Sequence, residues 1–188
     1  LNLDASHNNT ISYSTITAAA ADVIALHVAN SSSNTITQNY ISNPAGFGLF
    51  FNAASSNTVS FSTITNNNAA YGAMTLILST YNTITQAYIS NPAGTALHIG
   101  NNSDLNTISY STITSASAAS AFHLEFSSAN IITQNFITNS SGRALNLETS
   151  HGNTISYSTI TASAADVIAL HIANSSSNTI TQNYISNP

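Results

Sequence analysis

Eleven residues, NTITQNYISNP, stand at positions 34–44 and recur unchanged at 178–188. Altered copies, NTITQAYISNP and NIITQNFITNS, begin at Asn82 and Asn130, so the four starts are 48 residues apart. Between them sits a second motif: NTISYSTIT from Asn9, Asn106 and Asn153, and NTVSFSTIT from Asn57. The eight starts are 9, 34, 57, 82, 106, 130, 153 and 178, a step of 23 to 25 residues. A repeat of that length cannot bury an apolar face alone and must stack against its neighbours, which makes a solenoid. A longer period overlies the short one, because residues 1–44 align with 145–188 at an offset of 144. Five positions differ: Asp4/Glu148, Ala5/Thr149, Asn8/Gly152, Ala19/Ser163 and Val28/Ile172. Residues 1–188 therefore read as a single solenoid, a window of a longer array with a 48-residue two-turn unit and a 144-residue super-repeat.

Each unit carries three short alternating segments. In NTIT, Ile36 points inward and Thr35 and Thr37 outward, the period of a strand. A second segment, YIS or TIT, turns Ile41 or Ile16 inward. A third follows a Gly-, Pro- or Ala-rich corner: ALHV at 25–28, ALHI at 96–99, ALNL at 144–147 and IALHI at 168–172. Three short strands per turn, about 24 residues per turn and about eight turns predict an all-β parallel β-helix. Equivalent residues of successive turns then form ladders with a spacing of about 4.8 Å.

The NTIxxNxI pattern, followed by a corner and an ALxL strand, resembles the repeat of the right-handed parallel β-helix family. That family includes pectate-lyase-like enzymes and NosD-type periplasmic proteins. The resemblance covers essentially the whole chain and implies the right-handed form. It matches the family's inward asparagine to Asn39, Asn135 and Asn183. Ser14, Ser62, Ser111, Ser158 and Ala87 fill that slot elsewhere, so an asparagine ladder there should be interrupted. The enzymes of the family imply clustered carboxylates for calcium with a basic residue, or paired acids. Here the acids are scattered at Asp4, Asp22, Asp104, Glu125, Glu148 and Asp166, and Arg143 is the only Lys or Arg. The NTD, DD, GHG and RIK signatures of polygalacturonases are missing. The expectation is a protein that is not an enzyme and needs no cofactor.

Charged residues are 4% of the chain, which leaves no basic footprint for nucleic acid. No apolar run reaches the length of a membrane span, so membrane insertion is not expected. Without cysteine neither a disulfide framework nor a thiolate zinc site can form. Disorder is also excluded, because the 43% of apolar residues fall on the repeat and are rich in β-branched and aromatic types.

Three outward features remain as candidates. Thr35, Thr37, Thr83, Thr85, Thr179 and Thr181 form a Thr-x-Thr face that resembles the ice-binding face of insect antifreeze solenoids, alternating with Thr-x-Ser turns and broken by Ile131. Beside it, Tyr13, Phe61, Tyr110 and Tyr157 mark one type of unit; Tyr40, Tyr88, Phe136 and Tyr184 mark the other, two motif positions later. This staggered stripe could pack against another solenoid or bind sugar rings. His98 and His123 align in one outward column, with Glu125 and Glu148 in the next, a pattern open to metal or acid–base chemistry on a face expected to be flat. Asp22 and Asp166 read as makers of local turn bonds. Together these features predict an extracellular or cell-surface structural filament or adhesin stalk that assembles with itself. The alternative is a solenoid that recognises polysaccharide or ice.

Overall fold

The computed structural model describes residues 1–187. Among them there are 24 strands and no helix. Strands β1 (Asn2–Asp4), β2 (Thr10–Ser12) and β3 (Thr15–Thr17) make the first turn, and the order repeats to β22 (Leu170–Ala173), β23 (Thr179–Thr181) and β24 (Tyr184–Ser186) in the eighth. Every third strand pairs in parallel, giving three eight-stranded sheets, here sheets 1, 2 and 3 after the strand of the first turn that each contains. The register follows the motif starts: Thr10, Thr35, Thr58 and Thr83 are successive partners in sheet 2.

The core consists of ladders of one apolar residue per turn. Sheet 2 supplies Ile36, Val59, Ile84, Ile108, Ile132 and Ile155; sheet 3 supplies Ile41, Ile64, Ile89, Ile113, Ile137 and Ile160; all are fully buried. Sheet 1 contributes two columns, among them Leu49, Met74, Leu97 and Phe122 in one and Phe51, Leu76, Ile99 and Leu124 in the other. β-Branched residues dominate the narrow sheets because they suit the pleated surface, and each buried side chain contributes about 1.5–3 kcal/mol before ordering entropy.

Corners need polar bonds. The asparagine that opens every motif forms an unbroken ladder, in which the side-chain carbonyl of Asn34, Asn57, Asn82, Asn106, Asn130, Asn153 and Asn178 accepts the backbone N–H of its counterpart one turn earlier at 2.8–2.9 Å. The slot expected to hold an interrupted ladder behaves as such: Asn39 accepts from Ser14, and Asn135 from Ser111. Ala87 has no side-chain oxygen, so that column breaks between Ser62 and Ala87.

The corner between sheets 2 and 3 uses left-handed backbone on residues other than glycine: φ is 50° at Tyr13, 54° at Gln38 and 48° at Phe61, and the pattern continues along the stack. Such a conformation costs roughly 1–2 kcal/mol per residue. Backbone bonds to the following turn offset it, as from Tyr13 N–H to Thr37 O and from Gln38 N–H to Ser60 O.

Candidate functional site

Sheet 1 turns one column of side chains outward, running His27, Phe50, Thr75, His98, His123, Asn146 and His171 through parallel pairing. Rings touch along it. His27 and Phe50 are 5.6 Å apart between centroids, and His98 stacks on His123 at 5.3 Å with planes 17° apart. Thr75 stands between these two groups where a ring would continue the row. A cavity of about 380 Å³ opens at this gap, bounded by Phe47, Phe50, Tyr71, Ile77, His98 and His123.

The face is therefore not flat, contrary to the expectation from the repeat. The loop at 67–73 between sheets 3 and 1 makes the wall. Tyr71 on it packs edge-on against Phe47 at 4.8 Å, and its hydroxyl donates to Asp22. That bond holds the phenol pKa above its usual value. Asp22, expected to make local turn bonds, instead accepts from a residue two turns away. Gly72 lets this loop lie close, since a Cβ there would overlap the Thr75 hydroxyl.

The four residues of the His–Glu cluster come together as their spacing implied. His98 pairs with His123 and Glu125 with Glu148 in adjacent turns. His98 Nε2 lies 3.5 Å from Glu125 Oε2, and His123 Nε2 lies 3.8 Å from Glu148 Oε2. These are ionic distances, too long for good hydrogen bonds, and both Nε2 atoms are buried without a hydrogen-bond partner. Burial is the main cause that lowers the pKa of both rings; the carboxylates oppose it, while His123 adds to the lowering at His98 and Arg143 to that at His123. Asn146 continues the column, its side-chain carbonyl Oδ1 accepting from His171 Nδ1 at 2.7 Å.

The aromatic stripe faces water along the whole stack. Tyr13, Phe61, Tyr110 and Tyr157 project from the left-handed corner, 57–77% exposed. Tyr40, Tyr88, Phe136 and Tyr184 open the sheet 3 strands, 43–63% exposed. Each turn contributes one ring. Gln38, Gln86, Gln134 and Gln182 take the corner where the ring moves onto the strand; Thr15, Thr63, Thr112 and Thr159 take the strand where it moves to the corner.

The neighbouring Thr face is regular but internally bonded. Ser60 donates to Thr37, Ser109 to Thr85 and Ser156 to Thr133, at 2.9–3.0 Å. Thr35, Thr83 and Thr179 lie in the outer column as expected, and Ile131 interrupts it, 46% exposed.

Phe47, Phe50, Tyr71 and Thr75 were not legible as site residues from the motifs. The available signal was FGLFF at 47–51, where four other units read as ALxL, and the lone Tyr71 in a loop otherwise of small residues.

An all-parallel stack of three-stranded turns with lengthwise surface ladders defines a β-helix. Residues 76–187 match the family described as right handed beta helix region, and residues 1–124 match periplasmic copper-binding protein (NosD). The chain belongs to these right-handed β-helix families, as the NTIxxNxI resemblance implied. None of the curated proteins matches it. Among solved structures, the Dettilon tailspike protein (gp208) is similar with a TM-score of 0.62 at 14% identity, covering 97% of this chain and 55% of that one. The Azotobacter vinelandii mannuronan C-5 epimerase AlgE4 A-module has a TM-score of 0.45 at 12% identity, with 97% and 62% covered. The chain thus spans little more than half the length of these structures, and the tailspike likeness speaks to the fold alone.

Proposed function

We infer that this solenoid is a binding surface for an uncharged polysaccharide, presented outside the cytoplasm and without turnover. The observation that carries the reading is the exposed aromatic row, one ring per turn over eight turns. A contiguous exposed apolar stripe marks an interaction site. Its flanks of Thr, Ser and Gln supply neutral donors and acceptors, the complement of a sugar with apolar ring faces and hydroxyl edges. Charge sets the class of glycan. A net charge of −5 with a single Arg gives a polyanion no attractive partner. The location rests on the NosD family, whose description is periplasmic. The test is retardation of the whole chain by a soluble neutral glucan, lost when Tyr40, Tyr88 and Tyr110 become serine.

One observation favours a second reading, a structural filament that stacks on itself. The last turn carries the NTITQNYISNP motif and the first NTISYSTIT, and within the chain the latter type follows the former at 34/57, 82/106 and 130/153, so a second copy stacked end to end keeps that alternation. Ice binding is less favoured, because Ser60, Ser109 and Ser156 spend their hydroxyl protons on Thr37, Thr85 and Thr133 and Ile131 breaks the other column.

The NosD description also names copper. Two imidazoles and a carboxylate at His98, His123 and Glu125 lie close enough to ligate an ion, and this nitrogen–oxygen set with two orphaned ring nitrogens fits one of that type.

A further inference from the structure

The sheet 1 cavity ends at a donor set that the aromatic row does not use. His98 comes from β13 (Leu97–Gly100); His123 and Glu125 are alternate residues of β16 (Phe122–Glu125). Parallel pairing sets His98 beside His123 and Gly100 beside Glu125. Gly100 leaves room there for the imidazole, since a Cβ would lie 2.8 Å from His98 Nε2. One ligand atom from each of His98, His123 and Glu125 falls within 4.8 Å of the others.

We propose that these three side chains hold a divalent first-row transition ion, with a further coordination position opening into the cavity between Phe50, Thr75 and Tyr71. Two imidazoles with one carboxylate suit such an ion, whereas calcium and magnesium take oxygen ligands. Donors around a tetrahedral ion with bonds of about 2.0–2.1 Å sit roughly 3.3 Å apart. His98 and His123 stand nearly parallel, 17° apart, so both imidazoles must rotate about their side-chain bonds for the two Nε2 atoms to reach one ion. Both Nε2 atoms are out of water and without a hydrogen-bond partner, and the ion satisfies both. Glu148, 3.8 Å from His123 Nε2, adds a second carboxylate to balance the charge. Three protein donors leave a fourth position, and His98 and His123 both line the cavity. The site lies on a different face from the aromatic row, so its failure leaves the polysaccharide reading standing.

Cobalt(II) added to the whole chain is the probe. The expected result is one equivalent bound with the visible absorption of a four- or five-coordinate ion, displaced by zinc, and shifted by acetate entering the open position. Glu125→Gln and His123→Asn should each weaken cobalt binding at least about tenfold, since loss of even an outer partner costs about 10–100-fold. His171→Asn, farther along the same column, should leave it unchanged. Glu125 is partly exposed, so Glu125→Gln keeps the test readable if His123→Asn unfolds. Unchanged affinity in Glu125→Gln, or a spectrum like that of the hydrated ion, overturns the site. A four-coordinate spectrum indifferent to acetate overturns the open position.

Discussion

The side-chain carbonyl of Asn82 accepts two bonds from Asn57, one from its backbone N–H at 2.9 Å and one from its amide at 3.1 Å. The Asn82 amide in turn reaches Ala54 O and Asn106. Both asparagines are 1% exposed, so water cannot replace what either loses. Asn82→Ala should therefore destabilise the chain by roughly 3 kcal/mol or more, at about 1–3 kcal/mol for each buried group left unpaired. Chemical denaturation of the variant beside the parent measures this.

Exposed rings should behave oppositely. Tyr88→Ser and Tyr110→Ser should shift stability by no more than about 0.5 kcal/mol, as surface changes do, while weakening glycan binding. Parallel denaturation and binding curves separate the two effects.

Acid should loosen the central turns. The pKa of His98 and of His123 is lowered in the folded chain, chiefly by burial, against the pull of Glu125 and Glu148. Below the unfolded value near 6.5 the unfolded chain binds more protons than the folded one. The contribution of these rings is thus fully present above about pH 6.5 and is lost as pH falls through the lowered folded values. Melting temperature should drop across that range, and less so in a His98→Asn, His123→Asn variant.

Glycan binding should be nearly insensitive to salt. Screening weakens contacts between charges, and the aromatic row has neutral neighbours. Equal affinity at low and high salt is expected; a steep loss would point to a charged ligand.

The fold was legible because the repeat states it several times. Motif starts gave the register, and Ile36 and Ile41 gave the inward faces. The Asn82 ladder was visible only as a motif boundary, since a sequence does not show that a corner amide bonds to the turn beside it. The His98–His123–Glu125 group was legible from column counting alone. Its cavity was not, because Tyr71 reaches it from an irregular loop and Thr75 matters by being smaller than the rings around it.

The most direct measurement is calorimetric titration of the whole chain with neutral glucan oligosaccharides of increasing length. Eight rings, one per turn at about 4.8 Å, form a staggered row along the stack, so affinity should climb with each added sugar until the row is covered, and should fall in the Tyr40→Ser, Tyr88→Ser, Tyr110→Ser variant. No binding at any length, or an affinity that ignores both chain length and the loss of the rings, would contradict the account.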